Sequence, residues 1–171
     1  EGRISLHDIS VTKTPASSVK LRLGVALAAL AFYAIFIFRT SFSINGTRYF
    51  VLFEDAMISM RYARHLADGH GLVWNIGEEP IEGFTNLLWV LWMAFAHKLG
   101  LSESKISLFI MLTGVGILMT TGLCASRIAK KLSTAPWVPV VALAATLFCY
   151  PLVFWTLRGM EVGAMTVCVY A

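Results

Sequence analysis

From its N-terminus the chain runs polar, apolar, polar-rich, then apolar again in segments parted by short connections, and this order predicts most of the architecture. A hydrocarbon core of about 30 Å needs about 20 apolar residues at 1.5 Å each. Three runs predict full transmembrane helices, over 23–39, 106–126 and 136–157, and a fourth begins at 162–171. The first is short, but Arg22 and Arg39 bracket it and can snorkel to the surface. The stretch from Phe84 to Ala96 is apolar but too short to span, which predicts an interfacial helix over 84–97 with Phe84, Trp89, Trp92 and Phe95 on one aromatic face.

Lysine and arginine near the ends of these runs give an orientation. Arg3, Lys13, Lys20 and Arg22 precede the first run, and Arg127, Lys130 and Lys131 follow the second with no acid among them. Placing both on the cytoplasmic side makes 1–22 a cytoplasmic tail, 40–105 an extracytoplasmic loop, 127–135 a cytoplasmic loop and 158–161 an outer loop. The interfacial helix then cannot span, and Glu161 shares a compartment with the 40–105 loop. The fold class expected is an all-α polytopic membrane protein: three full transmembrane helices plus a truncated fourth, with a helix–hairpin–interfacial-helix loop after the first span.

Composition agrees. The 171 residues are 57% hydrophobic and 14% charged, with a mean hydropathy of +0.72, whereas soluble domains carry about a quarter charged residues. The net charge of +4 comes from basic residues that are scattered or at run ends, so nucleic acid is not an expected partner. Cys124, Cys149 and Cys168 fall in apolar segments and make neither a disulfide framework nor a metal-ligand spacing. No small-residue cleavage site follows the first run, which therefore reads as a retained anchor. The chain opens on Glu1 and stops inside an apolar run, so the sequence reads as a piece of a larger protein.

Seven of the ten acidic residues lie between Thr40 and Ser104. Within that loop Asp55 stands where a helix N-cap is expected, and Ala56, Met60, Ala63 and Ala67 recur at helical spacing behind it. Gly69 or Gly71 suits the left-handed C-terminal position. Residues 72–83 read as a hairpin around a Gly turn, after which Thr85 or Asn86 caps the aromatic helix. Asn45-Gly46-Thr47 fits a glycosylation sequon.

The chemistry concentrates at Glu54-Asp55. Two adjacent carboxylates repel, which raises one pKa or calls for a cation, and such a pair suits a general base acting on a hydroxyl with or without a divalent metal. No cofactor follows with certainty; Mg, Mn or Ca at Glu54 and Asp55 is the candidate. Arg61 and Arg64 are either membrane-surface cations or partners of a lipid phosphate. His65 and His70 have the ordinary reading of exposed loop histidines, Glu78 and Glu79 that of a solvated turn, while Glu82 could face Asp55.

The residues Glu54-Asp55, Arg61-Tyr62, Leu66-Ala67-Asp68-Gly69-His70-Gly71, Asn75-Ile76-Gly77-Glu78 and Glu82-Gly83-Phe84-Thr85-Asn86 resemble the first outer loop of the GT-C superfamily of membrane glycosyltransferases. The pattern is most similar to the mycobacterial-type terminal arabinofuranosyltransferases and their flagellar-motor-associated bacterial relatives. It covers about a fifth of the chain; the apolar runs match by layout only. The resemblance implies an inverting transfer of a sugar, arabinofuranose among the candidates, from a polyprenyl-phosphate donor to a glycan or lipid acceptor of the cell envelope. It implies a multi-pass protein of the cell (inner) membrane with Asp55 or Glu54 as base. Arg61, Tyr62, Arg64, His65, Glu82, Thr85, Asn86, Arg158 and Glu161 are the implied substrate-binding set. Relatives often carry Asp-Asp where this chain has Glu54-Asp55, and a Gly-Leu-Glu-Thr-like motif where it has Gly159-Met160-Glu161-Val162. The further spans that complete the donor groove are also missing, so the piece alone need not be active. The competing readings are a non-catalytic membrane assembly or binding subunit that docks through the acidic loop, and a transporter fragment.

Overall fold

The computed structural model describes residues 16–170; Arg3 and Lys13 of the charge argument lie outside the described residues. In chain order the elements are α1 (Ala16–Arg39), β1 (Ser41–Ile44), β2 (Thr47–Phe50), α2 (Glu54–Ala67), α3 (Leu87–Lys98), α4 (Glu103–Leu132), α5 (Val138–Leu147), α6 (Tyr150–Leu157) and α7 (Val162–Tyr170).

The protein is mostly helical, and among the described residues two helices are long and apolar enough to cross a membrane: α1 from Ser18, and α4. Only a seam of α1 is buried, with Ala29, Tyr33 and Ile37 four residues apart. Leu23, Leu27, Leu30, Ile35 and Phe38 on its other flanks are exposed. An apolar surface of this extent suits lipid rather than water.

The run over 136–157, expected as one span, is two helices bent by 46° at a break. Pro151 lacks the amide hydrogen that would bond the Leu147 carbonyl four residues earlier, so α5 ends at Leu147 and α6 restarts with Pro151 in its first turn. The orphaned carbonyl instead accepts a 2.7 Å hydrogen bond from the buried Tyr33 hydroxyl of α1. Tyr33 thus joins a core of Ala29, Leu118, Leu143, Leu147, Val153 and Leu157 drawn from four helices.

The loop between α1 and α4 is folded, but its hairpin is elsewhere than expected. Residues 72–83 form no strand. The hairpin is β1–β2, paired from Ser41↔Phe50 to Ile44↔Thr47. Its two-residue turn is Asn45-Gly46, at φ +48° and +78°, and Asn-Gly is the pair that best tolerates left-handed backbone at both central positions. The sequon is therefore the tip of a hairpin.

Helix α2 buries Ala56, Met60, Ala63 and Ala67, as its spacing predicts. It ends at Asp68, and Gly69 and Gly71 both take the left-handed conformation, at φ +88° and +83°. Helix α3 spans 12 residues, about 18 Å, too short to cross a bilayer. It packs Val90, Met93 and Ala94 into a core with Met60, Tyr62 and Ala63 of α2. Its aromatic residues do not share a face. Trp89 is buried, whereas Trp92 and Phe95 point outward with ring centroids 5.4 Å apart, and Phe84 precedes the helix and packs on Tyr62.

Phe50 of the hairpin and Ile106 at the start of α4 share that core, so the C-terminal end of α1 and the N-terminal end of α4 meet. The end of α6 returns to the same place, where Arg158 bonds residues 51 and 53. Lys20 and Arg22 therefore lie at the opposite end of the helices from the folded loop, the same end as Arg127, Lys130 and Lys131.

Candidate functional site

Arg158 fixes where α2 begins. Its Nη1 donates to the Val51 carbonyl at 2.9 Å, and the Phe53 amide donates to the Arg158 carbonyl at 2.7 Å. These bonds hold residues 51–53 extended, and Phe53, at φ −70° and ψ 158°, becomes the N-cap with no side-chain capping bond. The expectation that Asp55 caps α2 is therefore corrected: Glu54 and Asp55 both lie in the first helical turn. Burial lowers the pKa of the Arg158 guanidinium from its usual value.

The adjacent turn closes on the same place. Gly159, at φ +90°, approaches so near that a Cβ there would stand 2.9 Å from a Leu52 methyl and 3.2 Å from the Ala56 Cβ. Its carbonyl accepts the Trp89 indole N–H at 2.8 Å. Asn86 then ties the two sequence-distant parts together. Its amide donates to Glu161 at 2.8 Å and its carbonyl oxygen accepts from Ser59 at 3.2 Å. Asn86 is the N-cap residue of α3, but its side chain makes no capping bond.

Ser59 lies one turn beyond Asp55 along α2, and through Asn86 it connects this helix to Glu161. Both Glu54 and Asp55 are exposed, and neither side chain has a hydrogen-bond or ion-pair partner among the described residues. Among the described residues no group of three or more His, Cys, Asp or Glu is placed to hold a metal ion. Glu54 and Asp55 alone offer two carboxylates, so substrate oxygens or water would have to complete the coordination of a divalent cation.

Most of the remaining candidates hold the loop together. Arg61 donates to the Trp74 carbonyl at 2.9 Å and to Asn75 at 2.8 Å, while its guanidinium lies 4.1 Å from the Trp74 ring centroid. Asn75 in turn donates to Glu78. The Tyr62 hydroxyl donates to the Ile81 carbonyl at 2.7 Å, and its ring packs on Phe84 and Trp74. His65 Nδ1 is 2.8 Å from the Val73 carbonyl. Arg64 pairs with Glu103 at 2.9 Å, joining α2 to α4. Glu82 and Thr85 are exposed and stand outside this network.

The opposite face of α2 borders a cavity of about 770 Å³ between the hairpin and the start of α4. Met57, Arg61, Arg64 and Asp68 line it from α2, Phe42 and Tyr49 from the hairpin. Glu54 and Asp55 are not in its wall.

Sequence reasoning missed Ser59, Trp89 and the Val51 carbonyl. Ser59 was legible as a polar residue four after Asp55; the other two contacts depend on where residues 158–159 dock. The class defined by fold and site is a mostly helical protein, with helices suited to a membrane and a folded polar cap bearing free carboxylates. Comparison with known proteins finds no matching family model, no matching curated protein and no matching solved structure.

Proposed function

We propose that the protein is a glycosyltransferase of the GT-C type, moving a sugar from a polyprenyl-phosphate donor to a glycan or lipid acceptor at a membrane surface. The observation that carries this reading is the pair of unpartnered carboxylates at the start of α2, on a backbone anchored by Arg158. A base needs free lone pairs, and the Asp55 carboxylate has them on an anchored helix start.

In this reading the acceptor hydroxyl gives its proton to the Asp55 carboxylate as its oxygen attacks the anomeric carbon. The bond from that carbon to the donor phosphate oxygen breaks on the opposite side, inverting the centre and releasing polyprenyl phosphate. Asn86 holds the Glu161 carboxylate by one hydrogen bond, and the remaining lone pairs can accept from sugar hydroxyls. Arg158, Ser59 and Trp89 are positioning residues: they hold the backbone and Asn86 in place. A divalent cation, if bound, would offset charge on the phosphate. The basic residues argue for a cytoplasmic N-terminus and an extracytoplasmic loop in the cell membrane.

The test is sugar transfer from a panel of polyprenyl-phosphate sugars in membranes containing the protein, wild type against Asp55→Asn and Glu54→Gln. Asp55→Asn should lose ~10²–10⁴-fold of the rate at unchanged expression. Full activity in both variants removes the pair from the chemistry. No transfer from any donor by the wild type favours the docking subunit.

A further inference from the structure

The cavity behind α2 is a half-open cleft that the transfer chemistry leaves unused. Its volume of about 770 Å³ falls within the range of small-molecule sites. Two features of its wall select an occupant. Phe42 and Tyr49 face each other across the hairpin, rings 5.9 Å apart and inclined by only 20°. They remain 47% and 37% exposed, a stacked aromatic pair with an open side. Against it stand Arg61, Arg64, Asp68 and Glu103, among the described residues two cations and two anions whose formal charges cancel.

A multiply charged phosphate would find no net opposite charge here, and Asp68 and Glu103 would repel it. A plain hydrocarbon would strip water from the exposed, ion-paired side chains of Arg64, Asp68 and Glu103. The occupant that meets both features has an apolar face and many uncharged hydroxyls. Planar guanidinium and carboxylate groups bind vicinal hydroxyls with directional, charge-assisted hydrogen bonds, while C–H faces of a sugar ring lie on aromatic rings. We infer that this cavity binds an uncharged carbohydrate, separately from the carboxylates of α2.

Binding here does not require Asp55, so it can fail or succeed independently of the transfer reaction. The probes are neutral di- to tetrasaccharides of arabinose, mannose, galactose and glucose, with the matching sugar 1-phosphates as anionic controls. Titration uses the whole protein in nanodiscs, with melting midpoints as a check on folding. A neutral saccharide should bind saturably and tighter than any sugar phosphate. Tyr49→Phe keeps the stacked pair and should bind within about threefold, whereas Tyr49→Leu, which keeps bulk without a ring, should weaken binding by about tenfold or more. Glu103→Gln leaves the wall net positive and should shift preference toward sugar phosphates. Asp55→Asn should bind like the wild type. Absence of saturable saccharide binding, a wild-type preference for sugar phosphates, or wild-type affinity in a folded Tyr49→Leu protein would each overturn the inference.

Discussion

Tyr33 and Asn86 show how single side chains here serve distant parts of the chain. The Tyr33 hydroxyl supplies the partner that Pro151 denies to the Leu147 carbonyl. Removing it should leave a buried acceptor unsatisfied in apolar surroundings. Tyr33→Phe should cost about 1–2 kcal/mol, read as a lower midpoint of thermal unfolding in detergent; an unchanged midpoint means another donor reaches that carbonyl. Asn86 links Ser59 to Glu161. In a double-mutant cycle Asn86→Ala and Glu161→Gln should couple by about 0.5–3 kcal/mol, as residues of one network do. Additive effects would break the proposed link between the loop and the 158–161 turn.

At the scale of elements, α2 organises the cap with two working faces. One carries Ser59, which reaches Glu161 through Asn86, and the other lines the cavity. Helix α3 seals α2 from the side, and its last turn places His97 with Nε2 3.2 Å from the Met60 sulfur. Burial lowers the pKa of His97 below the ordinary 6.5, outweighing the opposite pull of Asp68 and Glu103, while Arg64 adds to the lowering. A histidine whose folded pKa is depressed leaves stability intact above its unfolded pKa. Below that value the unfolded chain binds the extra proton more readily, and stability falls with pH. Denaturant midpoints at pH 7.5 and pH 5.5 should drop more for the wild type than for His97→Gln. Equal drops would assign the pH dependence to other groups.

For the whole molecule, the meeting of the α1 end, the α4 start and the α6 end puts the folded loop at one end and the basic connections at the other. Single cysteines at Ser43 and Lys131, in a protein whose three native cysteines are replaced by Ala, should be labelled from opposite sides of sealed vesicles by an impermeant thiol reagent. Labelling of both from one side would show that α1 and α4 do not both cross. The two sites also test the orientation: Lys131 should be the cytoplasmic one.

Hydrophobic periodicity and run length by themselves determined the helical class, the apolar helices, the buried face of α2 and the glycines at its end, because those follow from local geometry and from the need to hide apolar surface. The Asn45-Gly46 turn is equally local, because Asn-Gly tolerates left-handed backbone at both central positions. Tertiary structure alone decided the start of α2, the docking of Gly159 and the alliance of Asn86 with Glu161. Those depend on contacts across as many as 107 residues, where no spacing rule operates. The break between α5 and α6 shows both at once: Pro151 dictates that a carbonyl is freed, and only the packed neighbour α1 determines that Tyr33 receives it.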